Sequence, residues 1–380
     1  MLSRKQIFKG IGTESVFLWG ARQTGKSTLL KQMFPEALWI DLLLSDVYRR
    51  FTAQPQLLRE MLQVSNEQKL VVIDEIQKVP ELLDEIHWLM VNQKVQFILS
   101  GSSPRKIIRS GANLLGGRAL RYELFPLVSA EIDNFQLNTA LNHGLLPRHY
   151  LSANPKKLID AYIGNYLNDE IVAEAKIRNV QAFTQFLRAA AFSNAEQVNY
   201  SNIASDCGVS HNTIREYFQI LEDTLIGRFL PVYQKKPKRK VIQSPKFYFF
   251  DLGIPNNLLK RGVIESGTEA FGHAFEHFIY QELYAHSKYS ELDYPISYWR
   301  TVNQVEVDFI LGENQVCIEV KGTDNVNSKH LKGLKSFSEE YTTQKRILVS
   351  LDPFERMVGD VHLMPWNVFL HKLWNGELIS

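Results

Sequence analysis

The apolar run Val16 to Trp19 leads straight into Gly20-Ala21-Arg22-Gln23-Thr24-Gly25-Lys26-Ser27, a stretch that fits G-x-x-x-x-G-K-[ST]. Strand, glycine loop and helix in that order leave few folds open. The two glycines let the backbone curl so that successive N–H groups point inward, and the helix that follows adds its positive end. The product is a cradle for a polyphosphate. In such a cradle Lys26 reaches the β- and γ-phosphates, the Ser27 hydroxyl takes a position on a Mg²⁺ ion, and Thr28 follows in a helix that runs to about Phe34. A plain glycine turn between strand and helix is the alternative.

At 380 residues the chain exceeds what one hydrophobic core organises, so two or three domains are expected. Its 43 basic and 41 acidic residues give a formal charge of +2, so any nucleic-acid contact comes from local patches and not from a global field. Cys207 and Cys317 lie far apart and outside zinc-ligand spacings, which reads as two core thiols in a reducing compartment. The first ten residues lack the apolar stretch of a signal peptide, and no span approaches 18 uncharged apolar residues. A soluble, cytoplasmic protein with no membrane partner is expected.

After the loop helix, Ala37 to Leu42 reads as a strand and Leu57 to Val64 as an amphipathic helix. Leu70-Val71-Val72-Ile73 then runs into Asp74-Glu75, 48 residues after Lys26. A buried parallel strand delivers carboxylates at its C-terminal end, where doubly wound sheets hold their ligands. There Asp74 can hold Mg²⁺ through its water shell, while Glu75 orients or deprotonates the attacking water. The strand Val95 to Leu99 ends in Ser100-Gly101-Ser102-Ser103. Hydroxyls at Ser100 or Ser102 could sense a γ-phosphate, and a Ser/Gly turn opening a helix near Pro104 explains the same residues. Arg118, before the strand Ala119 to Leu124, either stabilises transferred charge, in cis or from a neighbouring subunit, or is simply solvated.

The set Gly20 to Ser27, Ile73-Asp74-Glu75-Ile76-Gln77-Lys78, Leu99 to Ser103, Gly117-Arg118, and Leu124-Phe125-Pro126-Leu127 with Glu131 resembles AAA-like P-loop ATPases of bacteria and archaea. Those proteins carry a C-terminal domain of long-unassigned function. The resemblance implies ATP hydrolysis with Mg²⁺ and gives Arg22 and Arg118 a nucleotide or interdomain role. His143-Gly144-Leu145-Leu146-Pro147 resembles the family's Gly-Gly-x-Pro turn, with His143 in place of the first glycine.

From Ile159 to about Ala191 apolar residues recur at helical spacing, among them Ile163, Tyr166, Leu167, Ile171, Phe183, Phe186 and Leu187. A helix from Tyr200, a turn at Gly208-Val209-Ser210 and a second helix from His211 to Thr224 make a helix-turn-helix. Leu225 to Tyr233 and Lys246 to Phe250 are candidate wing strands of a winged helix. His211, Asn212 and Arg215 lie near the start of the second helix, where side chains reach base edges. Between the wing strands, Lys235, Lys236, Lys238, Arg239 and Lys240 suit phosphate contact or a solvated hairpin tip. Winged helices also serve as protein-interaction modules, so DNA and protein both stand as partners.

In the last third, a helix from Ala270 to His286 carries Glu276, and Val305 to Ile310 pairs through Gly312-Glu313-Asn314 with Val316 to Lys321. Glu319 and Lys321 are two apart on a strand and share a face, and Asp308 on the paired strand can meet them. Charges on a sheet face that should be apolar are costly unless they bind something. Asp308, Glu319 and Lys321, with Glu276 in the first-helix position, resemble the active site of the PD-(D/E)xK nuclease superfamily. That resemblance implies carboxylates around Mg²⁺ and a lysine beside the attacking water. A surface Glu/Lys pair is the alternative. Lys329 to Ser338 reads as a helix, Arg346 to Ser350 as a further strand and Trp366 to Trp374 as a closing helix.

The expected architecture is α/β. A P-loop NTPase parallel sheet with helices on both faces occupies 1–140, a helical and winged-helix region 141–255, and an α/β nuclease-like domain 256–380. ATP and Mg²⁺ are the expected ligands, with DNA, a second copy or another protein as the candidate partner.

Overall fold

The computed structural model describes residues 3–11, 13–64, 70–109, 115–234 and 243–379. Two compact units emerge: Gln6–Pro126 joined by Asp223–Ile226 makes one, and the rest of the chain makes the other.

The first unit is built on β1 (Ser15–Trp19), α1 (Lys26–Met33), β2 (Leu38–Asp41), α2 (Ser45–Ala53), α3 (Leu57–Val64), β3 (Leu70–Asp74), α4 (Leu82–Gln93), β4 (Gln96–Gly101), α5 (Arg105–Arg109) and β5 (Ala119–Glu123). Its five strands form an all-parallel sheet in the order β2-β3-β4-β1-β5, flanked by helices. Val16, Phe17 and Leu18 of β1 and Val71, Val72 and Ile73 of β3 are fully buried, as continuous apolar runs require when both faces of a sheet are covered. Strand β4 lies between β1 and β3, with Ser100 level with both Leu18 and Asp74. That register brings the end of the serine strand between the glycine loop and the acidic strand.

The second unit begins with short helices, α6 (Leu137–His143), α7 (Pro147–Tyr150), α8 (Pro155–Ala161), a π-helical stretch Tyr162–Glu170, α9 (Ile171–Ala175) and α10 (Val180–Phe192). Ile163, Tyr166, Leu167, Ile171, Phe183, Phe186 and Leu187 are all buried. Helices α11 (Tyr200–Cys207) and α12 (His211–Asp223) are joined through Gly208, whose φ of 64° ends the first helix. Ser210 Oγ accepts the Thr213 N–H at 3.1 Å and caps the second. Strands β6 (Gly227–Leu230) and β7 (Lys246–Phe249) then pair antiparallel. The five basic residues from Lys235 to Lys240 lie outside the described residues.

The turn after α6 has a specific architecture. Buried Asp251 accepts the N–H groups of Leu145 at 2.6 Å, Leu146 at 2.9 Å and Gly253 at 2.9 Å. Burial pushes its carboxyl up to about 6 against the pull of those three bonds. Gly144 has φ 76° and ψ −177°, a region open in practice only to glycine. A Cβ there would stand 2.1 Å from Asp251 Oδ1. His143 is the last residue of α6 and needs no such freedom, so the turn tolerates its substitution for the first glycine.

After α13 (Gly253–Leu258) and the long α14 (Glu269–Tyr289) come β8 (Ile296–Arg300), β9 (Glu306–Leu311), β10 (Val316–Lys321), α15 (Lys332–Ser338), β11 (Lys345–Ser350), β12 (Arg356–Val358), β13 (Val361–Pro365) and α16 (Trp366–Trp374). The mixed sheet runs β12-β13-β11-β10-β9-β8, with β9 and β10 antiparallel and β10 and β11 parallel. Strands β12 and β13 were not foreseen, since they are short and the second ends in proline. Phe275, Phe278, Ile279 and Leu283 of α14 pack in one core cluster with Phe309, Ile318, Val349 and Phe369. Cys207 and Cys317 are buried free thiols. Among the described residues no helix is long and apolar enough to cross a membrane.

Candidate nucleotide site and carboxylate face

The glycine loop is fixed by its own atoms. Thr24 Oγ1 donates to Ala21 O at 2.9 Å, and a Cβ on Gly20 would stand 2.5 Å from Leu124 O, so only glycine fits there. Gln23 and Gly25 adopt φ of 65° and 97°, which turns the amides of the loop. Lys26 is buried at the start of α1, and its ammonium donates to Gly20 O at 2.7 Å and Ala21 O at 3.2 Å. Burial lowers its pKa, Glu75 and then Asp74 pull it back up, and Arg22 adds to the lowering. Ser27 is half-buried and Thr28 exposed.

At the sheet's C-terminal edge, Ser27 Oγ donates to Asp74 Oδ2 at 2.6 Å and Ser100 Oγ donates to Asp74 Oδ1. A hydroxyl and a carboxylate in contact beside the loop form a hard-oxygen donor pair of the kind Mg²⁺ takes. Glu75 stands in the left-handed region at φ 60°. Its Oε2 accepts from Gln77 Nε2, which also reaches Ser102 Oγ at 2.9 Å, while Ser102 Oγ lies 3.4 Å from the same carboxylate oxygen. Glu75 is thereby aimed by two neighbours. Sequence reasoning quoted Gln77 without a role, because a glutamine inside a turn gives no signal of what its amide touches.

Arg118 is elsewhere. It pairs with His87 Nε2 at 2.9 Å and lines a cavity with Ser15 and Gln96, the first residues of β1 and β4. Parallel pairing of β5 with β1 puts its entry at the edge opposite the glycine loop. The expectation that Arg118 acts on the phosphates in cis is therefore corrected.

On the second unit's sheet, Asp308 and Glu319 are nearly fully buried. The β9–β10 pairing runs to Phe309 opposite Ile318, and there the Asp308 side chain takes over, its Oδ2 accepting the Val320 N–H at 2.7 Å. A carboxylate in place of a carbonyl opens the ladder at this point. Lys321 Nζ lies 2.6 Å from Glu319 Oε1 and 3.6 Å from Asp308 Oδ2. Burial pushes the Glu319 carboxyl up, Asp308 pushes the same way, and Lys321 opposes both. Burial alone would lower the Lys321 ammonium, but Asp308 and Glu319 hold it well above its usual range. Both groups are thus shifted toward holding a proton, and the Lys321 ammonium answers both carboxylates. Glu319 Oε2 is buried with no hydrogen-bond partner among the described residues.

Glu276, expected beside this pair, is engaged differently. Its Oε1 accepts from Lys246 Nζ at 2.8 Å and from Tyr248 OH at 2.6 Å. Lys246 also pairs with Glu306, whose other oxygen takes Arg300 Nη1 at 2.9 Å. Among the described residues no three His, Cys, Asp or Glu side chains are gathered to hold a metal ion between them. Sequence reasoning missed Lys246, Tyr248, Arg300 and Glu306. On the helix-turn-helix, Asn212 and Arg215 are exposed and His211 is half-buried, with Arg215 5.3 Å from the Tyr200 ring centroid.

Three stretches match known families. Residues 12–133 match one described as an AAA domain, 134–263 the domain of unknown function DUF8612, and 271–369 the domain of unknown function DUF4143. An uncharacterised protein of Mycobacterium tuberculosis and one of Mycobacterium bovis are each 26% identical over 311 residues, covering 77% of this chain and 66% of theirs. The chain thus spans just under two thirds of the length of the curated relatives it matches. Similarity to an AAA domain coincides with the glycine loop and Asp74-Glu75, and similarity to DUF4143 with Glu276, Asp308, Glu319 and Lys321.

Proposed function

We propose that this chain hydrolyses ATP at the glycine loop, and that its nucleotide state governs a Mg²⁺-dependent phosphodiester-cleaving centre on the C-terminal sheet, acting on DNA. The Ser27–Asp74 contact at 2.6 Å carries the first half. Ser27 and Asp74 would hold Mg²⁺, which supplies charge neutralisation to the transferring phosphoryl group. Lys26 exchanges its two carbonyl partners for phosphate oxygens, and Glu75, steadied by Gln77 and Ser102, takes the proton of the attacking water.

Glu75→Gln tests this division of roles. The variant is expected to bind ATP as the parent does and to lose about 10²–10⁴-fold in kcat, the usual worth of a general base. Phosphate release and nucleotide binding, measured side by side, check it. Hydrolysis unchanged in the variant would remove Glu75 from the chemistry.

Supporting the second half is the orphaned Glu319 Oε2 beside Asp308 and Lys321. A buried carboxylate oxygen without a donor suits a divalent cation. Asp308 and Glu319 would hold it, the ion would stabilise charge on the cleaved phosphodiester, and Lys321 would stand by the attacking water. Incubating the full chain with supercoiled, linear and single-stranded DNA, Mg²⁺ and ATP should give nicked or shortened products that Glu319→Gln abolishes. Intact DNA in every form, with ATP hydrolysis unimpaired, would overturn cleavage.

A second reading is a nucleotide-governed binding module without cleavage. The engagement of Glu276 by Lys246 and Tyr248 favours it, since one acid of the expected set is occupied. Salt-dependent DNA binding without products supports this version, and no DNA binding at low salt favours a protein partner.

A further inference from the structure

Lys246 opens β7 with a side chain only 3% exposed, and a buried ammonium on a strand is costly unless fully answered. It is answered twice, by Glu276 at 2.8 Å and by Glu306. Glu306 and Asp308 are two apart on β9 and share its face, as Glu319 and Lys321 share a face of β10. The electrostatics join the two groups, for Lys246 feels Asp308 and Lys321 feels Glu276. Four carboxylates, Glu276, Glu306, Asp308 and Glu319, therefore stand against three cations, Lys246, Arg300 and Lys321. With all four acids ionised one negative charge would be left over, and the one fully buried oxygen of the four without a hydrogen-bond partner is Glu319 Oε2.

We infer that Lys246 is the resident cation of this face: its ammonium, lodged between Glu276 and Glu306, fills the place a second divalent ion would take, so the face accepts a single divalent ion, on Asp308 and Glu319. The inference rests on the divalent-ion site proposed above. Two-ion centres hold their cations about 3.5–4 Å apart to clamp both oxygens of a displacement. Here the strand that follows the basic segment supplies one of the two positive charges as part of the chain. Lys246 is thus a positioning residue, holding Glu276 and Glu306 away from the ion.

Counting bound Mn²⁺ by the loss of its free electron paramagnetic resonance signal tests this, on the full chain without nucleotide and carrying Asp74→Asn to silence the other site. The parent is expected to bind one ion, Asp308→Asn none, Lys246→Arg one, and Lys246→Gln two. A parent that binds none overturns the divalent-ion site itself. A parent and a Lys246→Gln variant that both bind one, with equal affinity, overturn only the role given to Lys246. Should Lys246→Gln unfold when metal-free, Mn²⁺ is expected to restore its circular dichroism and melting transition. If it stays unfolded at saturating Mn²⁺ while Lys246→Arg is folded, the inference also falls.

Discussion

Lys26→Ala is expected to lower kcat for ATP hydrolysis by at least about 10²-fold, the usual result of removing one preorganised charge from a reacting centre. The size follows from placement. Lys26 is buried at the N-terminus of α1, so its ammonium acts in a medium that screens it poorly. Burial already lowers its pKa, and its ammonium donates to two loop carbonyls. Its removal should therefore leave the melting temperature of the first unit unchanged or slightly raised. That pairing of a large kinetic loss with no loss of stability separates a functional lysine from a structural one. Phosphate release and a thermal melt on the same preparation check it. Hydrolysis at the parent rate would show that the loop is not the catalytic site.

Gly144→Ala is expected to cost about 3–5 kcal/mol, from a backbone conformation worth about 1–3 kcal/mol of strain for any L side chain and from displacing the Asp251 carboxylate. The new Cβ would stand 2.1 Å from Asp251 Oδ1 and 2.8 Å from Gly253 N, so the atoms that must yield are those holding Leu145, Leu146 and Gly253. For a unit of this size the melting temperature should fall by roughly 6–20 °C. Asp251→Asn should cost about 1–3 kcal/mol, because one amide N–H would face the amide donor. His143→Gly should cost only about 0.3–0.5 kcal/mol, the propensity difference between the two residues at the end of α6. Urea unfolding followed by tryptophan fluorescence ranks the three. A Gly144→Ala protein that unfolds with the parent would show that the turn is not held as described.

The glycine loop was legible because each of its residues performs a local task, and so was the β9–β10 hairpin, whose period and turn residues are also local. Strand order was not. Nothing in Leu99-Ser100-Gly101 says that β4 lies between β1 and β3, because parallel neighbours are set by crossovers and not by adjacent residues. Arg118 misled for the same reason: its place depends on which end of β5 it precedes. Lys246 at the head of an apolar strand reads like a frayed, solvated end. Only the approach of α14 and β9, distant in sequence, turns it into a buried ion pair. Asp251 was equally silent, since Leu145 and Leu146, whose N–H groups it accepts, lie more than a hundred positions earlier.

The return of Asp223–Ile226 to the first unit governs how the gene can be divided. Arg105, 3% exposed, is paired by Asp223, Ser103 Oγ donates to the Asp223 carbonyl at 3.3 Å, and Leu225 packs on the core of the parallel sheet. A fragment truncated near residue 140 would carry the whole glycine loop yet remove the Asp223 carboxylate from a buried guanidinium and uncover a patch of core. Expression of that fragment should give an insoluble or feebly active product, whatever the competence of the loop itself. Supplying 223–226 on a short tether, or working with the uncut chain, keeps the piece whole.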